Sequence, residues 1–392
     1  MPHRIPFARI LSPFAVLLAS CGVPPAGDSA IAQTPAAQTQ AGAAFAITDV
    51  ASFDEPWALA FILGSDRIVV TEKAGKIKLV APDGKASEIA GAPKVDYGGQ
   101  GGLGDVLVVP GPDAAGWSDM VIYLSWAEAG SNNTRGAVVG RGTLECTEAW
   151  TCRIVGLTPI WQQSPKVSGR GHYSHRLALS PDGKHLFVAS GDRQKMTPAQ
   201  DKSANLGKIV RLNLDGTPAV GNPFAGEGGI AAQVWSLGHR NILGLAFDAQ
   251  GRLWDLEHGP AGGDELNLVK AGANYGWPVV SQGDHYDGKA IPRHPTRSEF
   301  AAPAISWNPV IAPGDFIFVS GKAFPAWQGQ ALIAAMGTAG LVRVAIDGDK
   351  AREIERIDLG NRIRDIVEAP DGSIWVIEDG EGAKLRKLTP KR

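Results

Sequence analysis

The sequence predicts an all-β fold, a six-bladed β-propeller, and three observations carry that prediction. Glycine supplies 49 of the 392 residues, and short runs rich in Val, Ile and Leu are separated by turn signals. Amphipathic runs long enough for a substantial helix are scarce. One pattern also recurs: an apolar strand, a Pro-Asp-Gly-like turn, a second apolar strand, then a small or acidic residue with glycine. Clear copies occupy residues 57–72, 176–192, 244–254 and 365–379, and degenerate or interrupted ones occupy 104–125 and 316–334. Six copies of one strand–turn–strand unit predict six blades, since a β-sandwich has no need to repeat the signature six times. Long loops between strands then crowd one face around the axis, where a site built from distant residues is expected.

Taken in chain order, the N-terminus reads as an export signal. Arg4 and Arg9 precede an apolar run from Ile10 to Ala19, too short to span a bilayer. It ends in Leu18-Ala19-Ser20-Cys21, the pattern of a bacterial lipoprotein signal whose cysteine becomes the lipidated first residue. An ordinary secretory signal is the alternative. Gly22 carries no acidic retention mark, so the expected location is the periplasmic side of the outer membrane. Residues 22–44 are rich in Ala, Gln, Thr and Pro, and they read as a flexible tether. The domain spans 45–392. Without residues 1–21 the formal charge is about −4, which gives no reason to expect nucleic acid or a bulk electrostatic grip on a membrane. Cys146 and Cys152, six residues apart in an oxidising compartment, are expected to close a small disulfide loop.

Chemistry concentrates in a few segments. Gly238-His239-Arg240-Asn241, His258-Gly259-Pro260 through Asp264-Glu265-Leu266-Asn267, and Asn274-Tyr275-Gly276-Trp277-Pro278 combine cations, acids and glycines within a short stretch. Burying that mixture is costly unless an ion sits among it, so it implies a hard cation beside an anionic small molecule. Gly98-Gly99-Gln100-Gly101-Gly102 holds one amide in a glycine loop. Arg170-Gly171-His172-Tyr173-Ser174-His175-Arg176 sets two histidines between arginines, which holds at least one imidazole neutral for use as a base. In Asn361-Arg362-Ile363-Arg364-Asp365 the two arginines would point the same way from a strand and grip carboxylates, or Arg364 would simply pair with Asp365. Trp307-Asn308-Pro309 through Gly314 is an aromatic and proline loop suited to stacking on a planar ring.

In order, spacing and surrounding sequence, these segments resemble the glucose and aldose sugar dehydrogenases that use pyrroloquinoline quinone (PQQ), from about Ile47 to Leu388. That resemblance implies a six-bladed propeller that oxidises sugars at the anomeric carbon. It places His172 as the catalytic base and Gln100 against quinone and substrate. Arg240, Asn241, Arg362 and Arg364 would hold the cofactor, with Tyr286 near it. The carbonyls of Gly259 and Pro260, together with Glu265 and Tyr275, fall where calcium ligands lie. The cofactor carries three carboxylates, and calcium with three arginines would neutralise them.

Several positions depart from the family pattern. No cation stands in the segment 334–340, where the family often has one. Gly171 replaces an acid found in the glucose enzymes, and His258 replaces an amide, which leans toward the aldose branch. His175 stands where a small residue is common. With no haem-binding Cys-x-x-Cys-His motif in the chain, electrons are expected to leave to a quinone or a periplasmic carrier. Two rival readings share the propeller: a calcium-dependent lactonase or esterase, and a non-catalytic lipoprotein that binds a glycan or a protein. The set of three arginines speaks against the first, and His172 with Gln100 and Arg240 against the second.

Overall fold

The computed structural model describes residues 38–40, 45–111 and 120–391. The expected signal peptide, the expected lipidation site Cys21 and the expected tether apart from Gln38–Gln40 therefore lie outside the described residues. Those three residues form a short strand parallel to Lys350–Asp358.

Six sheets are present, five of four strands and one of five. The first strand of each blade faces the axis: Pro56–Phe61, Leu103–Val109, Ser174–Leu179, Ile242–Phe247, Pro313–Phe318 and Ile363–Glu368. Each packs against the next, and the sixth packs against the first, so the ring closes. The six-bladed propeller is thus the observed fold, with the two degenerate repeats forming blades two and five. The last blade joins both ends of the domain. Phe45–Phe53 pairs antiparallel with Ala383–Pro390, from Phe45 opposite Pro390 to Phe53 opposite Ala383.

The second strands Ile68–Glu72, Leu253–Glu257, Ala331–Ala335 and Ile374–Glu378 are buried at every position. Both of their faces meet a neighbouring blade, so they read as unbroken apolar runs rather than alternating ones. The main hydrophobic clusters follow suit, each straddling two successive blades. Val69 and Ile77 meet Val106 and Leu124, for example, and Leu59 and Val70 meet Ile377 and Leu385. Deleting one such side chain, as in Leu124→Ala, is expected to cost about 2–5 kcal/mol. Cys146 and Cys152 stand opposite each other across two strands of blade two and are joined as a disulfide.

One irregularity repeats around the ring. Near its start every innermost strand carries one extra residue relative to its partner: between Pro56 and Ala58, Leu103 and Val106, Ser174 and Leu177, Ile242 and Gly244, Pro313 and Asp315, and Ile363 and Asp365. A bulge bends its strand and re-aims the side chains beside it. All six lie at the same mouth of the central channel.

Candidate active site

At that mouth is a cavity of ≈ 270 Å³, lined from all six blades and the loops entering them. Its walls include Lys73, Gln100, His175, Asn241, Met336, Arg362 and Arg364. The structure therefore brings together four residues expected from sequence, Gln100, Asn241, Arg362 and Arg364.

His172 is not among its lining residues but adjoins two of them, Tyr173 in sequence and Gln100 by a hydrogen bond; it is buried, with a left-handed backbone (φ 49°). Its backbone N–H donates to Gln100 Oε1 at 2.6 Å, and its Nδ1 lies 2.6 Å from Asp192 Oδ1. Asp192 is itself fixed. Its Oδ1 also accepts from the Gln194 N–H, and its Oδ2 accepts from Trp277 Nε1 at 2.7 Å and from the Met196 N–H. A carboxylate held this way keeps Nδ1 as the proton-bearing nitrogen and leaves Nε2 able to accept a proton. Burial lowers the His172 pKa below the usual histidine value; Asp192 works against that and Arg240 reinforces it. Burial alone would raise the Asp192 pKa, but the His172 and Trp277 hydrogen bonds bring it below the ordinary value. Gly191 is required here because a Cβ would overlap the His172 carbonyl. Sequence reasoning missed Asp192, although a signal was present. Four of the repeats carry an acid at, or within two residues of, the end of their second strand (Glu72, Asp192, Glu257 and Asp379), and Asp192 and Asp379 bond to site residues.

Arg240 is buried beside the cavity. Its Nη1 donates to the His258 carbonyl and its Nη2 to Tyr286 Oη, both at 3.1 Å, while its backbone N–H donates to Glu257 Oε2. Tyr286, otherwise exposed, is thus brought to the site by Arg240. Nε of Arg240 and Oδ1 of Asn241 are buried with no partner among the described residues. Arg362 and Arg364 do point the same way, but both pair with Asp379, at 2.9 and 2.6 Å, rather than with Asp365. Arg362 Nη2 also touches Met336 Sδ at 3.4 Å, so a thioether faces the cavity from the segment that lacks a cation.

A second, smaller cavity of ≈ 20 Å³ is shared by Gly259, Glu265 and Tyr275 with Arg240, Glu257 and Ser281. Pro260 adjoins Gly259 but is not among its lining residues. Burial, then Glu257 and Asp264, push the Glu265 pKa well above the carboxylate range. The Tyr275 phenol is committed elsewhere: it donates to the Leu268 carbonyl and accepts from the Lys270 N–H. Asp264 pins the loop by accepting from the Gly259, Ile311 and Ala312 N–H groups. The expected stacking loop does not serve that purpose. Trp307 is buried in blade four with its Nε1 on Glu353, and of residues 307–314 only Ala312 lines the larger cavity.

Below the larger cavity Arg176 fills the axis. It pairs with Asp365 at 2.7 Å, Asp105 at 3.3 Å and Asp315 at 3.6 Å. Its guanidinium also donates to the Leu243 and Gly314 carbonyls and lies over Trp57. Every blade thus meets at one cation, which nothing in the sequence announced.

A profile of the Glucose / Sorbosone dehydrogenase family matches residues 53–387. The chain belongs to that family. It is 36% identical to the aldose sugar dehydrogenase YliI of Escherichia coli over 347 residues, 86% of this chain and 91% of the relative. The crystal structure of the soluble aldose sugar dehydrogenase from Escherichia coli in its apo-form superposes with a TM-score of 0.81 at 33% identity, covering 88% of this chain and all of that one. A PQQ-bound aldose sugar dehydrogenase from Streptomyces coelicolor gives 0.70 at 26% identity, covering 88% of this chain and 98% of that one. As a glucose/sorbosone dehydrogenase the chain is a sugar-oxidising oxidoreductase on a six-bladed propeller.

Proposed function

We propose that this sugar dehydrogenase oxidises aldoses, or related sugar aldehydes, at the anomeric carbon, and that it depends on PQQ and calcium. The observation that carries the proposal is His172, a neutral imidazole adjoining the cavity lining whose Nδ1 is anchored on Asp192. Its Nε2 takes the proton of the anomeric hydroxyl, a contribution of roughly 10²–10⁴-fold. Gln100 holds the His172 backbone in place while its amide lines the cavity.

The residues present fit the cofactor. Arg362 and Arg364 share one carboxylate between two guanidinium groups, so positive charge remains for an anionic ligand. Among the described residues, Asn241 Oδ1 on the wall of the same cavity and Arg240 Nε beside the smaller one are buried without a partner. The cavity is close to the lower end of the range for small-molecule sites. When bound, the quinone would supply the acceptor for the electron pair that leaves the sugar as hydride. The smaller cavity fits a single hard cation: it has room for about one water-sized sphere, and its walls carry the acids Glu257 and Glu265. Gly259 and Glu265 would hold calcium there, with Pro260 alongside and the Tyr275 phenol already committed to Leu268 and Lys270, and the ion would add positive charge near the cofactor. The three arginines favour this reading over a lactonase on the same fold.

Export, a lipid anchor at Cys21 on the periplasmic side of the outer membrane, and electron transfer to a quinone or periplasmic carrier belong to the same proposal. The test is dye-linked oxidation of several aldoses by the purified protein with calcium and PQQ added, beside His172→Ala. Cofactor-dependent turnover that the variant loses supports the proposal. No turnover of any aldose by the loaded wild type overturns it.

A further inference from the structure

His175 is the one histidine of the cavity wall without a hydrogen bond. The side chain is 2% exposed, and neither Nδ1 nor Nε2 has a partner among the described residues. Its ring stacks on Tyr173 at 5.3 Å and meets the edge of Trp57 at 5.7 Å, so aromatic packing fixes it. On another side it rests against Gly104, where any side chain would collide with it. Its backbone is left-handed (φ 73°), a strained choice for a residue other than glycine. Burial, with Arg193 and Arg176 nearby, lowers its pKa to about 3, so the ring is neutral. An imidazole buried without partners forfeits the hydration of both nitrogens, and a phenylalanine of similar shape would not. Costs of this kind collect where a ligand later supplies the missing partner.

We infer that His175 is a cofactor-contacting residue, whose imidazole N–H donates to an acceptor atom of the planar tricarboxylate in the cavity. The inference rests on the proposed cofactor. A neutral donor here offsets part of what a cation in the segment 334–340 would supply, since Met336 lines that side instead. The quinone, ring and carboxylate acceptors of such a ligand suit one N–H donor, and the nearby arginines serve its charge. His172 is held by Asp192 whereas His175 has no such anchor, so the two histidines divide the work between base and donor.

The test is PQQ binding to protein purified without PQQ, in calcium, followed by tryptophan fluorescence quenching for wild type, His175→Phe and His175→Gly. Loss of one neutral hydrogen bond is expected to weaken PQQ about 3- to 10-fold in both variants. His175→Phe keeps the ring contacts, and His175→Gly relieves the left-handed backbone, so a shared loss isolates the imidazole. Independently, ¹⁵N NMR of histidine-labelled wild type is expected to show one His175 nitrogen shifting when PQQ is added. Variants that fold and bind as tightly as wild type overturn the inference, as does an unmoved His175 signal in PQQ-saturated wild type. No PQQ binding by the wild type overturns the cofactor reading and this inference with it.

Discussion

Replacing Asp192 by Asn tests the base assignment without removing the base. The carboxylate accepts on both oxygens: His172 Nδ1 and the Gln194 N–H on one, Trp277 Nε1 and the Met196 N–H on the other. An amide has only one acceptor oxygen. If that oxygen faces His172, the NH₂ group confronts two donors, Trp277 Nε1–H and the Met196 N–H. If it faces Trp277, the NH₂ group donates to His172 Nδ1 and forces the proton onto Nε2, where the base must be empty. Either arrangement breaks the site, and the second abolishes the base outright. The expected loss in kcat is therefore most of the general-base contribution, about 10²–10⁴-fold, or about 3–5 kcal/mol in the barrier. KM should change little, because Asp192 is fully buried and shielded from substrate by His172. The assay is dye-linked turnover across pH 5–9 with the disulfide and far-ultraviolet spectrum checked. Wild-type activity should hold above neutrality and fall only on the acid side, below the ordinary histidine pKa, since protonation of His172 removes the base. An Asp192→Asn enzyme within threefold of wild-type kcat would refute the argument.

Three further outcomes are expected. Arg176→Met should cost about 3–5 kcal/mol, because it leaves Asp105, Asp315 and Asp365 buried without their cation; Asp105 already stands raised to about 6, chiefly by burial, so the variant should unfold more easily at pH 8 than at pH 5 in urea titrations. His175 contributes the opposite slope: its pKa is lowered to about 3, so the unfolded chain binds a proton first and stability falls as pH drops from about 6.5 toward 3, by about 1.4 kcal/mol per pH unit at most, and His175→Phe should flatten urea midpoints between pH 7 and pH 5. Calcium at about 100 times its Kd should stabilise the protein by roughly 2.7 kcal/mol against a chelator; Glu265→Gln should lose most of that gain in thermal melts, and an undiminished gain would place the ion elsewhere.

The blades were legible because buried strands must be apolar on both faces and turns must carry Pro, Asp and Gly, and both constraints act locally. Two weak copies sufficed as well, since 104–125 and 316–334 kept the strand pair and lost only the turn. The candidate site stood out where its residues sit in short motifs with glycine, as with Gln100, His172 and Arg240, which the fold places at or beside the two cavities. What escaped was everything decided by the register. Arg364 turned to Asp379 rather than to its neighbour Asp365 because it is itself the unpaired residue of the bulge between Ile363 and Asp365. Arg176 became an axial hub through the same device, in the strand that begins at Ser174. A bulge leaves no composition signature, so alternation along the strand could not reveal which side chains it re-aims. Trp307 misled for a related reason: its loop looked exposed, but the tryptophan is the last residue of blade four's outer strand and belongs to the core.

The pairing of Phe45–Phe53 with Ala383–Pro390 has a consequence for how the enzyme comes into being. The two partners are the first and last strands of the domain, so the ring stays an open arc until its last strand has been made. Arg362 and Arg364 emerge only just before that moment, while Gln100 and His172 have long been made. The site is thus assembled in a single late event, because a chain that stops short of the last strand carries the lining residues but cannot close the ring that holds them together. Because the closing contacts join residues more than 300 positions apart, that event is slow compared with forming any one blade. A protease that removes the last strand would spring the ring at its seam and empty the cavity without touching a residue that lines it.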